Sequence, residues 1–199
     1  MDTELPFSQA SENNKLPILE VLKSHLDNID SVLEIGGGTG QHAVFFANIF
    51  PKLVWHSSDV PANVDSLALR IGRAALPNLP HPFPLDVNSR PWQCDKFDSA
   101  FTANSLHIMT ADSVIGFFAE IANHLNSRGK LCVYGPFKYA GEFTTPSNAD
   151  FDIWLKQRDP LSGVRDFEWV NELALAAGLE LLEDNSMPAN NQLLVWSKQ

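Results

Sequence analysis

The most constraining feature of the sequence is a glycine-rich turn that directly follows a short apolar segment. Residues 31–35 read SVLEI, and the turn GGGTG occupies positions 36–40. The next apolar stretch, His42 to Phe50, is long enough for a buried helix. A strand, a glycine turn and a helix in this order place the turn at the carboxyl end of a strand, where ligands bind in open parallel sheets. We therefore expect an α/β protein with a ligand site at this turn.

The alternation of strands and helices continues along the chain. The apolar pattern predicts the following elements: strands over Leu53 to Ser57, Phe97 to Ala103 and Lys130 to Tyr134, a short strand leading to Leu85-Asp86, helices over Val64 to Ala75, Val114 to Leu125 and Phe167 to Ala177, and two closing strands over Leu179 to Glu183 and Leu193 to Ser197. The connection between the last two strands is too short for a crossover. We therefore predict a mostly parallel seven-stranded sheet with a terminal antiparallel hairpin and helices on both faces, built as one domain over residues 1–199.

Two segments depart from this alternation. Phe7 to Lys15 is polar and shows no helical period, so we predict a loop there, followed by a short amphipathic helix from Leu16; residues 1–30 then form an N-terminal arm and helix. Residues 135–163 are rich in Pro, Gly, Asn and aromatics, with only a short helical patch at Phe151 to Gln157. A long insertion of this kind is typical of a lid or binding loop. We expect the two segments to close together over a bound ligand.

Charge and composition exclude several classes of protein. Fourteen Lys and Arg against 24 Asp and Glu give a formal charge of -10, and the basic residues are scattered. Because a nucleic-acid surface needs concentrated positive charge, we expect no nucleic-acid partner. No long apolar window occurs and Met1 to Glu4 lacks a signal-peptide pattern, so we expect no membrane partner. Cys94 and Cys132 form neither a CxxC pair nor a zinc-type cluster, which favours a cytoplasmic location and no metal.

Three acidic residues follow the predicted strands. Glu34 ends an apolar strand, where a buried carboxylate needs a partner such as a ligand ammonium or backbone N–H groups. Asp59 lies 19 residues after Gly40, near the interval of about 20 residues at which an acid meets ribose hydroxyls in such folds; a helix cap is the alternative. For Asp86 there are two alternatives: its carboxylate accepts a hydrogen bond from the exocyclic amino group of an adenine, or it is an ordinary turn residue. The turn has the spacing G-x-G-x-G, which differs from the dinucleotide pattern G-x-G-x-x-G.

Together these features resemble the class I S-adenosylmethionine-dependent methyltransferases. The matching pieces are VLEIGGGTG at 32–40, Asp59, Asp86, Asn104-Ser105 after the fourth strand, and the terminal antiparallel pair. The resemblance implies a Rossmann-like fold with S-adenosylmethionine as cofactor. It also implies the cofactor contacts: Glu34, Gly36, Gly38 and Gly40 at the methionine and sugar portions, Asp59 at the ribose, Asp86 and Val87 at the adenine, and Asn104 beyond the fourth strand.

A resemblance to one subgroup covers nearly the whole chain. The segments FSQASENNKLPIL, GTGQHA, ANSLHI, YGPFKYAGEFT, PSNADFD, RDPLSGVRD and MPANN are similar to the small methyltransferase-like family catalogued as domain of unknown function 938. This resemblance implies the same fold and cofactor and no particular substrate.

Methyl transfer requires alignment of the acceptor with the methyl group and exclusion of water, and a base only if the acceptor starts protonated. Four residues are candidates for catalysis: His107, Tyr134, Arg165 and Asp166. For His107 the alternatives are a general base and a histidine that only packs in its turn. For Arg165 they are a clamp for an anionic group of the substrate and a salt bridge to Asp166. We expect a small-molecule acceptor, because only the arm and the insertion remain to build its pocket. The alternative is a catalytically silent protein that binds the cofactor.

Overall fold

The computed structural model describes residues 4–199, and Met1 to Thr3 lie outside the described residues. It confirms the predicted alternation of elements. The helices are α1 Gln9–His25, α2 Gln41–Ile49, α3 Pro61–Ala74, α4 Ala111–Ile121, α5 Pro146–Arg158 and α6 Phe167–Ala176. The strands are β1 Ser31–Ile35, β2 Val54–Asp59, β3 Phe83–Pro84, β4 Phe97–Ala103, β5 Leu125–Gly135, β6 Phe137–Tyr139, β7 Glu142–Phe143, β8 Arg165–Asp166, β9 Leu179–Met187 and β10 Asn191–Lys198.

Seven strands form the main sheet, in the order β3-β2-β1-β4-β5-β10-β9. The strands from β3 to β5 run parallel, whereas β10 is antiparallel to both β5 and β9. This arrangement confirms the prediction of a mostly parallel sheet that ends in an antiparallel hairpin. The chain order reverses between β1 and β4, so the loops after these two strands meet at the ligand-binding edge of the sheet.

Helices cover both faces of the sheet. The helices α1, α2 and α3 bury residues such as Phe46 and Leu67 against one face. On the other face, α4 and α6 bury Phe117 and Val170. Within residues 4–199, no helix is both long enough and apolar enough to cross a membrane.

The N-terminal arm is helical, so the prediction of a loop over Phe7 to Lys15 is wrong. The helix α1 begins at Gln9, and the Ser8 side chain caps it by accepting the Ser11 N–H. Its first turns pack on the start of α2 through polar groups: Gln41 Oε1 accepts the Ser8 N–H at 2.6 Å, and Gln41 Nε2 donates to the Ser8 carbonyl at 3.2 Å. A helix held in place by polar contacts carries no hydrophobic period, and the sequence pattern therefore missed it.

The insertion at 135–163 contains more regular structure than predicted. The strands β6 and β7 form a hairpin, and β8 joins them in a second sheet of order β7-β6-β8. The helix α5 is capped by Thr145 and is longer than the predicted patch. The turn after β6 is held near α6, because the Ala140 and Gly141 N–H groups donate to the carboxylates of Glu168 and Asp166.

Two predicted boundaries are also wrong. The helix predicted over Val114 to Leu125 stops at Ile121, and Leu125 already belongs to β5. The closing hairpin is longer than predicted, because β9 continues to Met187 and β10 starts at Asn191. Both errors arise because cross-strand pairing, which is not visible in a local pattern, extends the strands.

Candidate functional site

The glycine turn after β1 has a backbone that only glycine adopts easily. Gly36, Gly38 and Gly40 have φ angles of +74°, +55° and +75°. A Cβ atom at Gly36 would lie 2.7 Å from Ser105 Oγ, so this glycine lets the loops after β1 and β4 touch. A Cβ atom at Gly38 would meet only the Gly36 carbonyl oxygen within 4 Å, at 3.9 Å. The turn therefore leaves open space in front of Gly38, where a ligand can approach the backbone.

Asp59 lies directly beside this turn, at the end of β2. Its Oδ2 accepts the Gly38 N–H at 2.7 Å. Its Oδ1 accepts the Val60 N–H at 2.7 Å and Asn63 Nδ2 at 2.9 Å, so it also supports the start of α3. A carboxylate offers about four acceptor positions, so roughly one remains open on Oδ2 for a ribose hydroxyl. Cap and ligand contact are therefore compatible roles for this residue.

Glu34 is buried beneath the turn, with only 2% of its surface exposed. Its Oε2 accepts Trp55 Nε1 at 3.1 Å and Ser57 Oγ at 2.5 Å. Two side chains of β2, the strand directly alongside β1, therefore bind one oxygen of the Glu34 carboxyl group. Burial raises the pKa of Glu34 to about 7, against the opposing effect of these two hydrogen bonds.

The other predicted cofactor contacts lie along the same edge of the sheet. Asp86 is two residues beyond Pro84, which is paired with Asp59. Its Oδ1 accepts the Asn88 N–H at 2.9 Å and Asn88 Nδ2 at 3.1 Å, so it does form a turn. Val87 is buried in the core on the α4 side. Asn104, just beyond β4, has φ +58° and donates its N–H to the Tyr134 carbonyl at 2.8 Å.

His107 is a buried, neutral imidazole. Burial lowers its pKa to about 4, and the nearby Arg165 charge adds to this shift. The ring edge packs on Phe151 with a centroid distance of 5.3 Å. A Cβ atom at Gly135 would lie 3.7 Å from His107 Nδ1, so the ring lies against the end of β5. A histidine with this pKa is a weak base, so its packing role is better supported than proton abstraction.

Tyr134 lies at the carboxyl end of β5 and is 4% exposed. Burial raises the pKa of Tyr134, and the neighbouring side chains of Asn14 and Asn191 oppose this shift. His42 Nε2 lies 2.7 Å from Asn14 Oδ1. Sequence reasoning missed Asn14 and His42, although both fall in the segments SENNK and GTGQHA that carry the family resemblance.

Arg165 and Asp166 both form hydrogen bonds that hold loops in place. Arg165 donates to the carbonyls of Leu106 at 3.2 Å and Leu161 at 2.9 Å, and also to that of Met109. Asp166 Oδ2 accepts the Gly141 N–H at 2.8 Å. Neighbouring residues of a strand point to opposite sides, so β8 separates the two side chains, and the alternative of a salt bridge between them is not seen among the ion pairs of residues 4–199. None of these hydrogen bonds of Arg165 and Asp166 involves the glycine turn at residues 36–40.

Gln192, which pairs with Gly135 across the β5–β10 ladder, has a buried Oε1 without a hydrogen-bond partner among residues 4–199. In the same range, no group of three or more His, Cys, Asp or Glu residues could hold a metal ion.

Solved structures with the same arrangement identify the class of fold. An O-methyltransferase family protein from Burkholderia thailandensis aligns with a TM-score of 0.82 and 18% identity over 96% of this chain and 57% of that one. The S-adenosylmethionine-dependent methyltransferase SibL aligns with a TM-score of 0.78 and 19% identity over 94% of this chain and 55% of that one. The mitomycin 7-O-methyltransferase MmcR aligns with a TM-score of 0.75 and 18% identity over 86% of this chain and 49% of that one. The chain thus has the class I methyltransferase fold and spans about half the length of these proteins.

A family model refines this class. The model described as "Protein of unknown function (DUF938)" matches residues 5–198. The chain therefore belongs to this family, as its sequence segments predicted.

Proposed function

We propose that the protein is an S-adenosylmethionine-dependent methyltransferase that acts on a small molecule. The observation that carries this proposal is the pairing of Gly38 with Asp59: an open left-handed glycine faces a carboxylate that retains an acceptor position. The two groups suit the methionine and ribose portions of the cofactor. Asp86 and Val87 lie farther along the same edge, on the side expected for the adenine.

The comparisons support this proposal through the fold. The similar solved structures are named as methyltransferases, and two of the three are named as O-methyltransferases. Because sequence identity is below one fifth and the chain spans about half of each protein, the acceptor atoms of those proteins are not assigned to this chain. The acceptor of this chain is therefore proposed only as a small molecule, in agreement with its charge of -10 and its scattered basic residues.

The residues of the chain have separable tasks in this reaction. When bound, S-adenosylmethionine supplies an electrophilic methyl group on a sulfonium sulfur. The glycine turn and Asp59 fix the position of the cofactor, while the loop 104–107 and the end of β5 border the acceptor. Tyr134 and His107 are buried, so this part of the edge excludes water. With a neutral His107, acceptors that need no strong base are favoured.

The proposal is tested with methyl-labelled S-adenosylmethionine and a metabolite extract. We expect a labelled small-molecule product with the wild-type protein and none with Gly38→Val, whose side chain would fill the open space at the turn. Calorimetry with S-adenosylhomocysteine is run in parallel. Tight binding without any labelled product would instead indicate a silent cofactor-binding protein, and the absence of binding would contradict the proposal altogether.

We also propose a cytoplasmic location. Cys94 and Cys132 are both free thiols, and Cys132 is buried in the sheet. Unpaired cysteines suit a reducing compartment. Fractionation of cells that express the protein at native level tests this proposal.

A further inference from the structure

A groove between the first three helices is separate from the candidate cofactor site. It has a volume of about 410 Å³ and is lined by residues of α1, α2 and α3 and by Leu76, just beyond α3. One face of α2 contributes Gln41, Val44, Phe45 and Asn48. Among the lining residues in the described part of the chain, there is neither Asp59 nor any residue of the turn 36–40. A volume of this size lies within the range of small-molecule pockets.

Part of the groove is apolar. Val44, Phe45 and Leu76 are half-buried and pack against the core cluster beneath the first three helices. Each of them therefore keeps part of its side chain at the surface, where it lines the groove. Covering this surface with the hydrocarbon part of a ligand is favourable in proportion to the apolar area removed from water.

The charged side chains of the groove are Glu12, Lys15 and Arg70. The carboxylate of Glu12 is already engaged, because Oε1 pairs with Lys15 and Oε2 accepts Gln41 Nε2 at 3.1 Å. Two cations against one anion give the groove a positive charge, although the chain as a whole carries -10. Exposed charges more than about 8 Å away are largely screened at physiological salt, so a ligand in the groove responds mainly to this local charge.

Arg70 presents a guanidinium of fixed orientation to the groove. Its Nε donates to the Thr39 carbonyl at 2.5 Å, and its Nη2 donates to the Pro6 carbonyl. A guanidinium has five N–H groups, so three remain, and no carboxylate of residues 4–199 forms an ion pair with them. Free N–H groups in a fixed planar arrangement match the two oxygens of a carboxylate.

We propose that this groove binds a small organic carboxylate with an apolar body. The carboxylate accepts hydrogen bonds from the free N–H groups of Arg70, and the apolar body packs on Val44, Phe45 and Leu76. A cavity, an apolar surface and a guanidinium with free donors together define the site. Binding in the groove does not depend on the proposed methyltransferase function.

Arg70 also connects the groove to the glycine turn. It binds the Thr39 carbonyl within the turn, and a Cβ atom at Gly40 would lie 3.2 Å from Arg70 Cδ. A carboxylate that holds Arg70 in this orientation therefore favours the turn conformation to which the cofactor binds, and the cofactor favours the same orientation of Arg70. The two ligands should bind with positive coupling, which is equal in both directions. This coupling, unlike binding in the groove, rests on the proposed function.

Calorimetry of the full chain with 3-phenylpropionate and with 3-phenylpropanamide tests the groove. The two probes share one apolar body and differ in charge. We expect 3-phenylpropionate to bind about tenfold more tightly, as expected for hydrogen bonds to a charged group. When the chain is saturated with S-adenosylhomocysteine, the affinity for 3-phenylpropionate should rise about fivefold, at the lower end of typical coupling between sites.

Matched variants locate the bound probe. Arg70→Gln should remove the preference for 3-phenylpropionate over the amide. Arg128→Gln, at an exposed position on β5, changes the net charge by the same amount and should retain the preference. Ala74→Phe places a ring in the groove from the end of α3 and keeps the Arg70 side chain, so it should abolish binding of both probes. Circular dichroism confirms the fold of each variant, and Ala74→Phe decides the test if Arg70→Gln does not fold.

The outcomes distinguish the two proposals. Equal affinities of the two probes, or a preference that survives Arg70→Gln, would overturn the carboxylate site. Displacement of 3-phenylpropionate by S-adenosylhomocysteine would also overturn it, because the probe would then occupy the cofactor site. An affinity for 3-phenylpropionate that bound S-adenosylhomocysteine leaves unchanged would overturn the coupling. If S-adenosylhomocysteine itself does not bind, the proposed function fails alone, because the probe titrations need no cofactor.

Discussion

Gly38 and Asp59 are joined by one hydrogen bond of 2.7 Å, and each is expected to matter for cofactor binding in a different way. Gly38→Val places a branched side chain in the open space of the turn and also strains a backbone with φ +55°. We expect no measurable calorimetric binding of S-adenosylhomocysteine. Gly141→Val is the matched control, since Gly141 has φ +80° and open surroundings in the distant turn after β6. Loss of binding in both variants would indicate unfolding instead of a blocked site.

Asp59→Ala tests the carboxylate separately. The substitution removes the acceptor position on Oδ2 and leaves the Gly38 N–H without its partner. We expect the binding free energy of S-adenosylhomocysteine to weaken by roughly 1 to 3 kcal/mol. Asp65→Ala, at an exposed position on α3, removes the same charge without touching the turn. Equal affinities for the two variants would remove Asp59 from the site.

Glu34 gives the folding stability a pH dependence of defined sign. Its pKa is about 7 in the folded chain and about 4.5 without burial, so the folded state binds a proton that the unfolded state releases between these values. Stability is therefore expected to fall as pH rises from about 5 to about 7, by on the order of 3 kcal/mol at most. Urea unfolding at several pH values measures this change.

Glu34→Gln is the corresponding variant, because an amide accepts the bonds from Trp55 and Ser57 without titrating. We expect a flatter stability profile between pH 5 and 7 than in the wild type. Glu20→Gln, an exposed change on α1, should retain the wild-type trend. A variant profile as steep as that of the wild type would show that another group is responsible.

The first turns of α1, over residues 9–15, are the main regular element that the sequence pattern missed. Besides the Gln41 contacts, Arg70 Nε donates to the Thr39 carbonyl at 2.5 Å, and the same guanidinium donates to the Pro6 carbonyl. One side chain of α3 therefore connects the N-terminal arm to the glycine turn. Any ligand that stabilises the turn should also stabilise the arm.

Hydrogen exchange tests this coupling. We expect S-adenosylhomocysteine to slow amide exchange over residues 8–15, because the arm is tied to the turn and to the start of α2. Gln41→Ala removes the contacts to Ser8 and Glu12 and should weaken the protection of the arm while the cofactor product still binds. Asn48→Ala, farther along α2, serves as the control. Unchanged exchange in the arm of the wild-type protein would contradict the coupling.

The order of the main elements could be predicted because strand and helix periods are local. The glycine turn and the strand-end acids were equally visible, since each follows a short apolar run. The second sheet and the polar packing of α1 could not be predicted in this way, because they depend on contacts between distant segments. The hydrogen bonds of Arg165 and Asp166 could not be predicted for the same reason: only the fold shows that carbonyl groups and a turn N–H are their partners.

For the whole molecule, the formal charge of -10 leads to a prediction about partners. Binding to a nucleic-acid backbone depends on neutralising phosphates with clustered Lys and Arg side chains. We expect no retardation of duplex DNA or of structured RNA in a gel-shift assay at about 0.15 M salt, where exposed charges are screened beyond about 8 Å. A shifted band under these conditions would argue against a small-molecule acceptor as the sole partner.

The position of β10 has a consequence for biosynthesis. Among the described strands it is last along the chain, yet it lies between β5 and β9 in the sheet. While a ribosome is still translating residues 191–198, the apolar edge of β5 has no partner, and unpaired strand edges invite association with other chains. The nascent protein is therefore expected to depend on chaperones until this strand emerges, however early β1 to β5 assemble.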